Sequence, residues 1–261
     1  MTSVPPEDDS QKEGEPERSP RRKPPRWLMG AVVAGLGGAI TAAIISAGHT
    51  VKRIVLPTSP AAPLAVTAKL RSPGESCSGG AGWVFPRSAA QLPVPPHSDA
   101  GMQSWATQNG GVPASGNFVV VDLQGRPGPS VIVNDVRVEV TRRSGALTGT
   151  YAILSGGCGG VAPDYFGANL DREPVTIKSM AGVDELGHVV AAVPLPHQIS
   201  ASEPEVWYVR ASTASCDCQW VAYLDWTANG ESSSTRIGPF LTTATARAKK
   251  VILNGSGWSP F

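Results

Sequence analysis

Residues Trp27 to Ala47 read WLMGAVVAGLGGAITAAIISA, and no charged residue occurs between Trp27 and Val51. A helix rises about 1.5 Å per residue, so about 20 apolar residues cross a hydrocarbon core of about 30 Å. The run of 21 residues therefore predicts a transmembrane helix, which with its interfacial ends covers 27–49. Trp27 stands where an interfacial aromatic belongs. Arg18, Arg21, Arg22, Lys23 and Arg26 precede the span, and only Lys52 and Arg53 follow it closely. This excess of positive charge orients the span with its N-terminus in the cytoplasm and about 205 residues outside. A cleaved signal peptide would need a small-x-small cleavage site. Ser46-Ala47-Gly48 tolerates cleavage, whereas Ile45-Ser46-Ala47 does not.

Gly30, Ala34 and Gly38 recur at four-residue spacing along the span, and Ala42 and Ser46 continue the series. A small-xxx-small stripe lets two helix backbones approach, so it marks a candidate homodimer face. The neighbouring set Ala31, Gly35, Ala39 and Ala43 fits the same spacing, so composition alone can produce it.

Residues 1–26 hold six acidic residues, six basic residues and six prolines, with Val4 as their single aliphatic residue. Such a segment buries too little apolar surface to offset the entropy of ordering, and is expected to be a disordered cytoplasmic tail. Residues 50–63, TVKRIVLPTSPAAP, form a proline-spaced stalk. Residues 64–261 form the expected extracytoplasmic domain. From residue 57 onward there are 14 Lys/Arg and 15 Asp/Glu, and this balance argues against a nucleic-acid footprint.

Short apolar runs between Gly/Pro turns dominate that domain. Asn117–Leu123, Val136–Arg142, Tyr151–Leu154, Pro174–Lys178, Val189–Val193, Val206–Arg210 and Cys216–Trp226 all read as strands. Val206–Arg210 and Trp220–Trp226 are expected to pair, and only Met102–Thr107 suggests a helical turn. Seven or more short strands at this spacing predict an all-β fold, an antiparallel β-sandwich or barrel, behind the one N-terminal helix. The most informative strand is Cys216–Trp226. Period-two alternation puts Cys216, Cys218, Trp220, Ala222, Leu224 and Trp226 on one apolar face, with Asp217, Gln219, Tyr223 and Asp225 on the other.

The four cysteines, Cys77, Cys158, Cys216 and Cys218, all follow the span. An even number on the oxidising side favours two disulfides, with three connectivities available. Direct pairing of Cys216 with Cys218 closes a very small ring. Each is therefore expected to bond outward, to Cys77 or Cys158, at about 3–4 kcal/mol per long loop closed. A tetrahedral zinc site on the same cysteines is the alternative.

No catalytic, cofactor-binding or metal motif stands out. His49 lies at the membrane edge, and His97 and His197 follow prolines, which suggests solvated loops. His97, Cys158 and Arg172 match the His, Cys, Arg order of a sortase, in which a thiolate attacks with help from an acid and an oxyanion donor. Cys158 stands in Leu154-Ser-Gly-Gly-Cys-Gly-Gly160, without the Thr-Leu-x-Thr surroundings of that family, and the glycines suit a tight turn. Tyr165, Phe166, Trp83 and Phe85 read as core or rim residues; the other reading is a carbohydrate or peptide groove.

The Ala/Gly/Pro-rich composition, the Gly-Gly-Cys-Gly-Gly turn and the Cys-Asp-Cys-Gln-Trp strand ending in Asp225-Trp226 resemble the uncharacterised single-pass membrane proteins common in high-G+C actinobacteria. The resemblance implies an extracytoplasmic sensing or binding module. The expected partners are the bilayer through Trp27–Ala47, a second copy through Gly30, Ala34 and Gly38, and an extracytoplasmic protein or wall ligand. A membrane-anchored envelope enzyme, thiol transpeptidase or hydrolase, is the alternative.

Overall fold

A computed structural model of the chain describes residues 62–71, 82–96, 99–153, 164–184, 187–254 and 257–261. The span Trp27–Ala47 with Gly30, Ala34 and Gly38, the charged tail and residues 50–61 lie outside the described residues, as do Cys77, His97 and Cys158. Among the described residues no helix is long and apolar enough to cross a membrane.

The described chain is predominantly β-structure, as the alternation of its apolar residues predicts. In order, the strands are β1 (Leu64–Leu70), β2 (Gly82–Phe85), β3 (Val112–Pro113), β4 (Phe118–Gly125), β5 (Val131–Gly145), β6 (Gly149–Ile153), β7 (Asp164–Asn169) and β8 (Thr176–Met180). They continue with β9 (Gly182–Val183), β10 (Val189–Val190), β11 (His197–Ile199), β12 (Glu205–Ser212), β13 (Cys216–Ala228), β14 (Glu231–Thr243), β15 (Ala248–Asn254) and β16 (Gly257–Pro260). One helix, α1 (Asp99–Gln108), extends the helical turn expected at Met102–Thr107.

Two sheets share the main core. The first runs β1-β4-β12-β7-β8 and the second β11-β5-β13-β14. The inward face of β13 carries Cys216, Cys218, Trp220, Ala222, Leu224 and Trp226, all buried against Val119, Val121, Leu123, Trp207, Val209 and Phe166 of the first sheet. The pairing is not wholly antiparallel: β7 runs parallel to β12, and β6 parallel to β15. The expected pairing of Val206–Arg210 with Trp220–Trp226 is also corrected. β12 bonds to β4 and β7, and β13 to β5 and β14. The turn Thr213–Ser215 carries the chain from one sheet to the other, so the two strands face each other across the core instead of sharing hydrogen bonds.

Strand β14 has few apolar residues, and its polar ones explain its place. Trp220 Nε1 donates to Thr242 Oγ1 at 3.0 Å, and Trp226 Nε1 to Thr235 Oγ1 at 2.9 Å. A buried indole N–H needs an acceptor, and both threonines stand one diagonal step across the ladder. Gly238-Pro239 interrupts β14 where the register shifts between Trp220 and Ala222. Proline lacks a ladder donor, and β14 is an edge strand, where that lack is tolerated.

A third sheet, β16-β15-β6-β2-β3, packs Trp83, Phe85, Ala152 and Val251 with Met102 and Ala106 of α1. It joins the first sheet through the Asn117 side chain, which exchanges hydrogen bonds with the Gly82 backbone at 2.7 and 3.3 Å.

One corner closes the chain crossing. Cys216 and Cys218 are bonded to each other, not outward. Their Cα atoms lie 5.4 Å apart, within the ordinary disulfide range of about 4.4–6.8 Å. The expectation that so small a ring does not close, and that each cysteine bonds outward to Cys77 or Cys158, is thus corrected at this strand entry. Asp171 holds the turn: its carboxylate accepts from Thr213 Oγ1 at 2.8 Å, Ala214 N at 2.7 Å and Ser215 Oγ at 2.6 Å. Arg143 of β5 donates to the Leu170 carbonyl and, at 3.3 Å, to that of Arg172.

Burial pushes the Asp171 carboxyl up, and the hydrogen bonds from Ser215, Ala214 and Thr213 outweigh it, leaving the group below its ordinary value of 3.8. A depressed carboxyl stabilises the fold fully above the unfolded value and loses that contribution as pH falls through the folded one. Asp171→Ala is expected to cost about 1–3 kcal/mol in urea unfolding of the full chain at neutral pH. Asp171→Asn should flatten the loss of stability below about pH 4.

Candidate binding site

Because the first sheet spends its inward positions on the core, its outward positions form a separate surface, and the strand registers order it in rows. Val120, Tyr208, Tyr165 and Met180 lie opposite one another across β4, β12, β7 and β8. The next row is Phe118, Arg210, Gly167 and Lys178, and the third includes Ser212, Asn169 and Thr176. The surface therefore grades from aromatic to cationic to neutral polar along the strands, in two-residue steps of about 6.6 Å.

The aromatic row is packed on its own account. Phe118, Tyr165 and Tyr208 touch pairwise with ring centroids 5.6–5.9 Å apart. Arg71, just beyond β1, is 5% exposed. Its guanidinium lies 4.2 Å from the Phe118 centroid and 5.4 Å from that of Tyr208. An arginine held over ring faces is stabilised by their quadrupoles. Tyr165 Oη donates to the Val183 carbonyl at 2.9 Å. Burial pushes the Tyr165 hydroxyl above its ordinary range, against the opposing effect of Arg71.

A cavity of about 320 Å³ opens here, walled by Arg71, Phe118, Tyr165, Met180, Gly182 and Arg210. A second hollow of about 640 Å³ continues from it, sharing Met180 and Arg210 and adding Gly167, Lys178 and Arg172. These volumes match small-ligand sites, which typically combine apolar walls with a few convergent polar groups. Arg210 is exposed, and its guanidinium makes no hydrogen bond or ion pair among the described residues. Gly167 lies between Arg210 and Lys178 in the row, with no side chain of its own, and Met180 Sδ stands 3.0 Å from where its Cβ would be. The result is a shallow floor flanked by two cations and ended by an aromatic wall. Such an arrangement can hold an anionic group over Gly167 with a ring or apolar body against Phe118 and Tyr165.

Of the residues singled out in the sequence, Tyr165 lines the cavity, whereas Phe166, Trp83 and Phe85 are buried core. Arg172 is exposed and lines the second hollow; His97 and Cys158 lie outside the described residues, so the sortase-like set is not brought together here. His197 is not a solvated loop residue: it begins β11, and its Nε2 lies 3.1 Å from Glu205 Oε1. Beside them burial pushes the Asp164 carboxyl up to about 6, with a hydrogen bond to Glu205 adding to the rise. Arg71, Arg210, Gly167 and Lys178 carry no sequence signal, since only strand register aligns them. Comparison with protein-family models, curated proteins and solved structures finds no match to the chain.

Gly182 sets the cavity wall. A Cβ there would run into the Tyr165 ring. Gly182→Ala is expected to displace that ring, break its bond to Val183 and lower stability by about 1–3 kcal/mol. Thermal unfolding of the full chain followed by near-UV circular dichroism, which reports the tyrosine environment, checks this.

Proposed function

We propose that this protein is a membrane-anchored binding module, with its β domain on the extracytoplasmic side and its ligand seated on the outward face of β12, β7 and β8. The observation that carries the binding part is the row Phe118–Arg210–Gly167–Lys178 beside the aromatic cavity. The anchoring part rests on Trp27–Ala47 and the basic residues before it.

The ligand class follows from the surface. Two cations on either side of Gly167 recognise an anionic group such as a phosphate or carboxylate. The Phe118 and Tyr165 walls favour an attached ring or apolar segment. Wall polymers, a peptide terminus and small metabolites all offer this combination. The convergent cations and aromatic walls suit the capture of a ligand.

Binding of phenyl phosphate, inorganic phosphate and benzyl alcohol to the purified full chain, followed by tyrosine and tryptophan fluorescence, tests the reading. Phenyl phosphate is expected to bind most tightly. Arg210→Ala and Lys178→Ala should each weaken it at least about tenfold, the loss of one charge-assisted hydrogen bond. Equal affinity for benzyl alcohol would contradict the anionic reading. Protease added to intact cells should remove the β domain; cleavage only after lysis would contradict the topology.

A further inference from the structure

A second cluster lies on the other side of the first sheet, between the two sheets. In β7, Asp164 shares the inward face with Phe166 and Ala168; in β12, Glu205 shares it with Trp207 and Val209; in β11, His197 shares it with Ile199. Three strands thus place an ionisable group at the inward position where an apolar residue is the rule. The three are partly buried, and one ligand atom from each lies within 4.8 Å of the others. They close the core at the strand ends opposite the Cys216–Cys218 corner, since β7 and β12 both begin here and end at that corner.

We infer that Asp164, His197 and Glu205 form a divalent-metal site that ties the first sheet to the second. This site is independent of the anion-binding reading. One imidazole nitrogen and two carboxylate oxygens are a donor set for zinc and its first-row neighbours rather than for calcium or magnesium. Ligand atoms around a tetrahedral ion stand about 3.5 Å apart, given metal bonds of about 2.0–2.2 Å. His197 Nε2 and Glu205 Oε1, at 3.1 Å, need only open slightly, and Asp164 to close in. Three protein ligands leave one position for water.

A neighbouring buried group points the same way. Trp207 is 1% exposed and lies opposite Asp164 in the β12–β7 ladder; its indole N–H interacts with that carboxylate, and it meets no hydrogen-bond partner of ordinary geometry among the described residues. A buried donor rarely goes unmatched. Carboxylates that bind metal characteristically accept such an outer hydrogen bond, which fixes the oxygen facing the ion. Because His197 belongs to the second sheet and the two carboxylates to the first, the ion would act as a cross-link, and its binding energy would add to the energy holding the sheets together.

The test uses the full chain in detergent, stripped with a chelator and then titrated with zinc and separately with cobalt(II). Saturable binding of one zinc per chain is expected, with thermal unfolding raised by about 5 °C or more at a hundredfold excess over Kd. The cobalt spectrum should lack a thiolate charge-transfer band, which distinguishes this site from any involving cysteine. His197→Ala and the nearly isosteric Glu205→Gln should each weaken binding at least about a hundredfold, the upper end of what loss of an outer partner alone costs. Glu205→Gln keeps the shape of the side chain, so its result stands even if His197→Ala folds poorly. No saturable binding, a thiolate band, or wild-type affinity in Glu205→Gln would overturn the site and leave the cluster a hydrogen-bonded plug of the core.

Discussion

The burial of Trp220 and Trp226 on one face of β13 is the constraint on which the other elements depend. Each indole brings apolar area that drives the two sheets together and one N–H that the core must satisfy. The acceptors are Thr242 and Thr235 on β14, so a strand written mostly in serine and threonine becomes necessary to the core. The opposing layer meets these rings with Trp207, Phe166 and the valines of β4. With the inward positions of β4, β7 and β12 committed in this way, their outward positions are left to carry Phe118, Tyr165, Tyr208 and Arg210. The proposed binding surface and the core are thus two faces of the same three strands.

The two ends of the shared core are closed by different chemistry. At one end, Asp171, Arg143 and the Cys216–Cys218 bond fix the turn that carries the chain between sheets. These are local contacts to backbone groups that would otherwise lack partners. At the other end, Asp164, His197 and Glu205 meet beneath Trp207. Polar groups facing inward at a rim cost little when they satisfy one another, and they keep water from the aromatic layer. An ion at this end would turn that rim into a second fixed point.

Much of the fold was legible in the sequence because period-two alternation is local. The face of β13 carrying Cys216 through Trp226 could be assigned residue by residue, and β4, β5 and β12 follow from their valine runs. What was hidden depends on non-local pairing. The core role of β14 appears only when its threonines lie beside the indoles. Sequence neighbours usually pair, which suggests β12 beside β13, whereas Thr213–Ser215 takes the chain to the opposite sheet. The Cys216–Cys218 bond is hidden because the very small ring it closes is unfavourable in a regular extended strand. The site was almost wholly hidden: Arg71, Gly167, Lys178 and Arg210 are ordinary residues until β4, β12, β7 and β8 align them. His197 was read as a loop residue because of the prolines around it, and its partners stand 8 and 33 positions away in sequence.

On the proposed reading the outward face of the first sheet, and not another surface of the domain, receives an anionic ligand. Hydrogen–deuterium exchange of the full chain, with and without saturating phenyl phosphate, tests it most directly. Slowed exchange is expected only in the backbone around Gly116–Phe118, Tyr165–Gly167, Lys178–Val183 and Arg210. Protection on the outward face of β5 and β13 instead, or none anywhere at saturation, would contradict it.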